Sequence, residues 1–263
     1  MTALKDQVVW ITGASGGIGE ALAVSAARAG ARLVLTARRR TELERVRARC
    51  PDPQQVAVLP LDLTDFDAGA AYAAAEAFFG PIDILVNNAG LSQRSLAVDT
   101  QLPVYRRLFE LDFFACVALC SAVLPGMMAR RRGHLVNIAS VVAYVGTPLR
   151  TGYSAAKHAL RGYSDALRAE VWRSGVKVTV ICPGFIRTQM SVNAITGDGG
   201  QHAQMDRGQA RGMDAEACAR QIWAAVAADR AEALVGWKEA ILVRLQRHCP
   251  ALVRYLVARA PAT

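Results

Sequence analysis

The chain reads as an α/β protein: a single doubly wound, Rossmann-type parallel sheet with helices on both faces. Three observations predict that class. Short, uninterrupted Val/Ile/Leu runs alternate with helical stretches along the chain, as strands buried on both faces require. The first run passes straight into a glycine-rich turn, TGASGGIG (12–19), with a helix behind it. With 263 residues, 52% hydrophobic and 20% charged, the chain suits one large domain over 1–263 with ample material for a core.

The strand VVWIT (8–12) leads into a helix near 17–29 and then the strand ARLVLT (31–36). A charged helix in TELERVRARC (41–50) gives way to the turn PDPQQ (51–55) and the strand VAVLPL (56–61). An alanine-rich helix running to Phe79 precedes IDILVN (82–87). FFACVALCSAVLPGMMA (113–129) carries no charge, but it is just short for a membrane span and Pro125-Gly126 interrupts it. A helix buried by other protein is therefore expected. HLVNIAS (134–140), a helix over about 153–173 and VKVTVIC (176–182) complete the regular part. The long irregular stretch 183–212 is expected to be a substrate loop, because loops of that length in compact domains usually serve function. In the C-terminal tail, 240–263, arginines 244, 247, 254 and 259 stand among Leu, Val and Ile. It reads first as a helix at a subunit edge or over the site, and second as a basic amphipathic segment on a membrane surface.

A net charge of +9 permits anionic ligands, nucleic acid or an acidic membrane surface. The arginines are scattered, with runs at 38–40 and 130–132, and read mostly as solvated surface. No nucleic-acid motif or aromatic–basic face accompanies them. The six cysteines show no disulfide or metal spacing; Cys116 and Cys120 share a helix face as two small buried residues. The first apolar strand starts at Val8 after a short polar lead, so a secretory signal is not expected. A reducing cytoplasm is the expected location.

Within TGASGGIG, Gly13, Gly17 and Gly19 let the backbone turn sharply and approach a pyrophosphate, while the helix start offers its N–H groups to the phosphates. An NAD site usually sets Asp or Glu at the end of the second strand, whereas NADP needs a cation there. Here LTARRR puts Ala37 in the acidic position and Arg38 next, with no carboxylate before Glu42. NADP(H) is the expected cofactor. Further on, Tyr153 and Lys157 stand four apart in TGYSAAKHAL, so a helix sets phenol and ammonium on one face. The ammonium favours the phenolate and is expected to draw the tyrosine down from its ordinary value near 10.

Together with these, NNAG (87–90), Ser140 thirteen places before Tyr153, YSAAK (153–157) and PGFIRT (183–188) resemble the short-chain dehydrogenase/reductase family, in its single-domain branch, over roughly residues 5–190. LPGMMARRRGHLVNIAS, LRTGYSAAKHALRGYSDALRAE and NAITGDG further resemble its member-seven type. The resemblance implies about seven strands and hydride transfer between a nicotinamide and a carbonyl or secondary alcohol. It assigns catalysis to Ser140, Tyr153 and Lys157, which also holds the nicotinamide ribose. To the cofactor it assigns Ser15 and Ile18 beside the glycines, Asp62 and Leu63 at the adenine, Asn88, Ala89 and Gly90 along the sheet, and Pro183, Gly184, Ile186 and Thr188 at the nicotinamide end. It also implies a homodimer or homotetramer and an apolar substrate of lipid, steroid or retinoid kind. Relatives carry an N-terminal membrane anchor, which is not expected here. The alternative is a non-catalytic NADP(H)-binding sensor or scaffold, against which the intact Tyr153 and Lys157 argue. One departure stands out. The family's usual Asn is replaced in ELDFFA by Asp112, counted here with the catalytic group, whose carboxylate beside Lys157 favours the ammonium and opposes the phenolate.

Overall fold

Strands built of Val, Ile and Leu are stable where both faces are covered. The computed structural model arranges them so; it describes residues 4–259, with Trp237 and Lys238 as backbone alone. The strands are β1 (Val8–Thr12), β2 (Arg32–Ala37), β3 (Val56–Pro60), β4 (Ile84–Asn87), β5 (Gly133–Ile138), β6 (Val176–Pro183) and β7 (Glu232–Val235). They form one parallel sheet in the order β3-β2-β1-β4-β5-β6-β7. The order reverses between β1 and β4, which opens a crevice at their C-terminal ends. β7 is the strand that no sequence run announced: four residues long, with Glu232 exposed.

Alternate residues of each strand serve opposite layers. Trp10, Val34 and Leu85 pack beneath α3 (Ala68–Phe79), α5 (Ala115–Ala129) and α6 (Thr151–Val171). Ile11, Leu33 and Leu35 pack beneath α1 (Gly17–Arg28), α2 (Arg40–Ala48) and α8 (Ala215–Ala227). Full burial of such a side chain stabilises by about 1.5–3 kcal/mol. The buried indole of Trp10 donates to Thr36 Oγ1 at 2.9 Å, so its one polar atom is satisfied.

The apolar helix differs from expectation. It begins eleven residues earlier, at α4 (Leu102–Phe109), passes through a π-helical turn at Glu110–Phe114 and continues as α5 straight through Pro125. The run Leu102–Ala129 is long and apolar enough to cross a membrane by length and composition. Leu119, Val123 and Met127 are nonetheless buried in the core, while Phe114 and Met128 face outward. Pro125 removes one helical hydrogen bond, and burial of Val123 and Met127 on either side outweighs that loss.

The 183–212 stretch is less irregular than expected. Pro183 belongs to β6, isolated bridges join Gln93 to Ile195 and Ile195 to Gln201, and α7 (Arg207–Ala210) follows. The tail forms α9 (Trp237–His248) and α10 (Pro250–Arg259), separated at Cys249. Residues 1–3 and 260–263, the ends of the expected domain and tail, lie outside the described residues.

Candidate active site

The glycine loop is shaped by what cannot fit. Gly13 has φ +63°, and a Cβ there would stand 2.8 Å from Ala89 Cα. A Cβ on Gly19 would meet Gly13 O at 2.3 Å. The loop therefore packs too closely at Gly13 and Gly19 to admit a side chain there, with Ser15 and Ile18 in the same turn. α1 starts at Gly17, and its first-turn N–H groups have no intrahelical partner. Asn88 holds the cradle to the sheet: its Nδ2 donates to Thr12 O at 3.0 Å and to Gly13 O at 3.2 Å. Thr12 Oγ1 accepts from the amides of Asn88 and Ala89.

At the adenine end, Arg38 stands exposed just past β2, with Asp62 exposed and Leu63 buried beyond β3. Slight burial raises the Asp62 carboxyl, but hydrogen bonds from Thr64 and the charges of Arg38 and Arg107 hold it below its ordinary value. Glu42 is not idle: it accepts from Arg45 Nε at 2.9 Å. Arg45 also binds Glu20 at 2.7 Å and Ser15 O at 3.1 Å, fastening α2 to the glycine loop. The sequence reading missed Arg45, whose partners lie 25 and 30 positions away.

The catalytic end is buried. Ser140 lies two residues beyond β5 and caps a short 3₁₀ turn, its Oγ donating to Pro183 O at 3.4 Å. Tyr153 and Lys157 occupy the first turns of α6, with the ammonium 5.8 Å from the ring centroid. Lys157 Nζ donates to Ile138 O at 3.1 Å and pairs with Asp112 Oδ1 at 3.0 Å. The π turn delivers that carboxylate, and the Leu91 amide donates to it at 3.2 Å. Gly90 makes the room, since a Cβ there would stand 2.6 Å from Asp112 Oδ1. Beneath lies a buried polar ladder, from Asn87 Nδ2 to Asn137 Oδ1 at 2.9 Å and from Asn137 Nδ2 to Ser164 Oγ at 2.9 Å. Cys116 and Cys120 face Asn137 together, as their shared helix face required.

One electrostatic expectation is reversed. Burial pushes the Tyr153 phenol up, and although Lys157 opposes it, Asp112 adds to the rise, so the value lies above the ordinary one. Burial also raises Asp112 against the pull of Lys157. For Lys157, burial favours the neutral amine, but Asp112 and Tyr153 more than offset it and the group stays ammonium.

One pocket brings together Ile18, Asn88, Gly90, Ser140, Tyr153, Lys157, Pro183, Gly184, Ile186 and Thr188. Gly13, Ser15, Gly17, Gly19, Arg38, Asp62 and Leu63 lie outside it, toward the adenine end. The same pocket holds Arg94 and Arg150, both buried, two exceptions among arginines that are otherwise exposed or half-buried in the described residues. Asp206, from the 183–212 segment, ion-pairs with both. Arg150 falls within the motif around Tyr153, but nothing in a sequence ties Arg94 to a carboxylate 112 positions later.

A glycine cradle closed to side chains, a helix start behind it and a phenol–ammonium pair across the crevice fit a nicotinamide dinucleotide. The short chain dehydrogenase family model matches residues 7–198. The chain belongs to that family. This short-chain dehydrogenase is 43% identical over 249 residues to human dehydrogenase/reductase SDR family member 7, covering 91% of this chain and 73% of that one. A Burkholderia phymatum short chain dehydrogenase/reductase solved in complex with NAD superposes with a TM-score of 0.84 at 24% identity, covering 100% of this chain and 98% of that one. A Burkholderia cenocepacia short chain dehydrogenase in complex with NADP gives 0.80 at 22%, covering 98% and 99%. At those identities the two structures speak for the fold. Family membership makes the chain an oxidoreductase acting on CH–OH or C=O groups with a nicotinamide cofactor.

Proposed function

We propose that this short-chain dehydrogenase transfers hydride between NADP(H) and a carbonyl or secondary alcohol on a largely apolar substrate. The observation that carries the reading is Ser140, Tyr153 and Lys157 meeting in one pocket at the C-terminal ends of parallel strands. The bound cofactor supplies or accepts the hydride. In the reducing direction Tyr153 donates its phenolic proton to the carbonyl oxygen, and the Ser140 hydroxyl donates a hydrogen bond to that same oxygen. Lys157 stabilises the phenolate that remains. In reverse, the phenolate takes the alcohol proton. Asp112 tethers Lys157 and tempers its effect on Tyr153.

NADP(H) is favoured by exposed cations at the end of β2 and by the engagement of Glu42 with Arg45, which takes up the nearest carboxylate. Val141, Val142, Val145 and Leu242 in the pocket favour an apolar substrate body. The outward residues of the Leu102–Ala129 run support a homo-oligomer built on that face, and the buried free cysteines suit a reducing compartment. Oxidation of NADPH across a panel of aldehydes and ketones tests the central claim. Turnover with NADPH well above NADH is expected; tight NADPH binding without turnover on any substrate would instead favour the sensor.

A further inference from the structure

The two C-terminal helices have unlike faces. On α9, Glu239, Leu242 and Val243 turn inward and line the catalytic pocket. Gly184 makes room for the acid, since a Cβ there would stand 2.6 Å from Glu239 Cδ, and the Phe185 amide donates to Glu239 Oε1 at 3.5 Å. α10 starts at Pro250, where a missing N–H costs nothing, and packs on α9 with Val253 buried and Val257 half-buried.

The outer faces are apolar and basic together. Ile241, Leu252, Tyr255 and Leu256 are between 45% and 55% exposed. Leu252, Tyr255, Leu256 and Arg259 fall at the spacing of a single helix face, opposite Val253. Arg259 lies over the Tyr255 ring, 4.0 Å from its centroid. Arg244, Arg247 and His248 stand exposed on α9 with Ile241, and Arg254 flanks the stripe on α10. Past Glu239 neither helix carries an Asp or Glu, so nothing on them offsets the four arginines.

Different partners would make different use of this face. A second copy in a two-fold contact would set four arginines against four, which like charge disfavours. Nucleic acid would reward the arginines and leave the apolar stripe in water. An anionic bilayer surface takes both: Ile and Leu enter the acyl boundary, arginines meet the phosphates, and the amphipathic tyrosine sits between.

We propose that the outer faces of α9 and α10 dock on the surface of an anionic phospholipid bilayer, the helices lying in the plane of the interface. The inner face of α9 walls the pocket, so docking sets the pocket beside the lipid boundary. The claim is independent of which cofactor or substrate the pocket takes.

The test is flotation of the full chain with vesicles of phosphatidylcholine alone and of phosphatidylcholine mixed with phosphatidylglycerol. Binding to the mixed vesicles is expected to be at least about tenfold tighter and to weaken as salt is raised. Leu252→Asp combined with Leu256→Asp should lower that binding at least about tenfold. Arg244→Gln combined with Arg254→Gln should bring the mixed vesicles close to phosphatidylcholine alone. No flotation with the mixed vesicles overturns the proposal, as do equal binding to both kinds and binding that both paired variants retain. If a variant fails to fold, the vesicle comparison and its salt dependence still decide on the unaltered protein. Sedimentation without lipid supplies the remaining arm. Self-association abolished by the Leu252→Asp and Leu256→Asp pair, with no flotation, would make this face a contact between copies and remove the lipid.

Discussion

Charges at the two ends of the site behave differently. At the adenine end they stand in solvent: Arg40 and Glu44 pair at 3.9 Å with side chains 65% and 43% exposed. At the catalytic end Lys157 and Asp112 pair at 3.0 Å with side chains 4% and 0% exposed. Two unit charges 4 Å apart in water attract by about 1 kcal/mol and are screened by salt. Removing one partner of a buried pair costs about 3–5 kcal/mol, because a charge is stranded. The outer charges can thus select among ligands at little cost to the fold. The inner ones hold both the fold and the chemistry.

The largest effect should come from Tyr153→Phe, which keeps the ring and removes the proton donor. kcat should fall by roughly 10²–10⁴ with NADPH affinity nearly unchanged. A loss of only a few-fold would mean that another group moves the proton.

Next is a stability effect from a buried imidazole. His134, on β5, lies 2.7 Å from Thr179 Oγ1, and burial depresses its pKa from 6.5 to about 4. Above 6.5 both the folded and unfolded forms are neutral. Between 6.5 and about 4 the unfolded chain takes up a proton that the folded one refuses. Stability should therefore fall with acidity in that window, by about 1.4 kcal/mol per pH unit. Urea midpoints across the window should show the slope, and His134→Asn should flatten it; parallel slopes would assign the loss to other groups.

Arg38→Ala probes the exposed end. NADPH should weaken by roughly 10- to 100-fold, the worth of a charge-assisted hydrogen bond of about 1.5–3 kcal/mol, while NADH is unaffected. An equal loss for both cofactors would erase the contrast between the two ends.

The smallest change in rate, and the sharpest test of the buried end, is Asp112→Asn. Activity should hold within about tenfold, well short of the loss expected for Tyr153→Phe. Asp112 raises both Tyr153 and Lys157, so its removal should lower both and shift the optimum for alcohol oxidation to lower pH. These groups titrate as a set, and the apparent values belong to the set. An unchanged profile would show that the carboxylate carries no charge in the working enzyme.

Much of this architecture was legible because two-sided burial writes itself as continuous Val/Ile/Leu, as in VVWIT and VKVTVIC. β7 escaped because a four-residue strand with one exposed glutamate has too little pattern to read. The glycine loop, Ser140, Tyr153 and Lys157 were legible because their chemistry depends on local spacing. Arg45 and the Arg94–Asp206–Arg150 cluster were not, since their partners meet only after the chain has folded. Pro125 misled for a related reason: local propensity signals a break, and packing of Val123 and Met127 overrules it.

The π turn at Glu110–Phe114 makes the site sensitive to residue count as well as residue type. An α-helix advances about 1.5 Å and 100° per residue. Losing a single position between 110 and 114 would tighten the wide turn into a regular helix and leave α4 and α5 nearly in phase, because the π turn already holds one residue more than an α turn needs. Leu108 would then keep its buried seat, while the wide turn that carries Asp112 to Lys157 would be lost. A deletion there would therefore be felt at the ion pair before it was felt in the packing of the two helices.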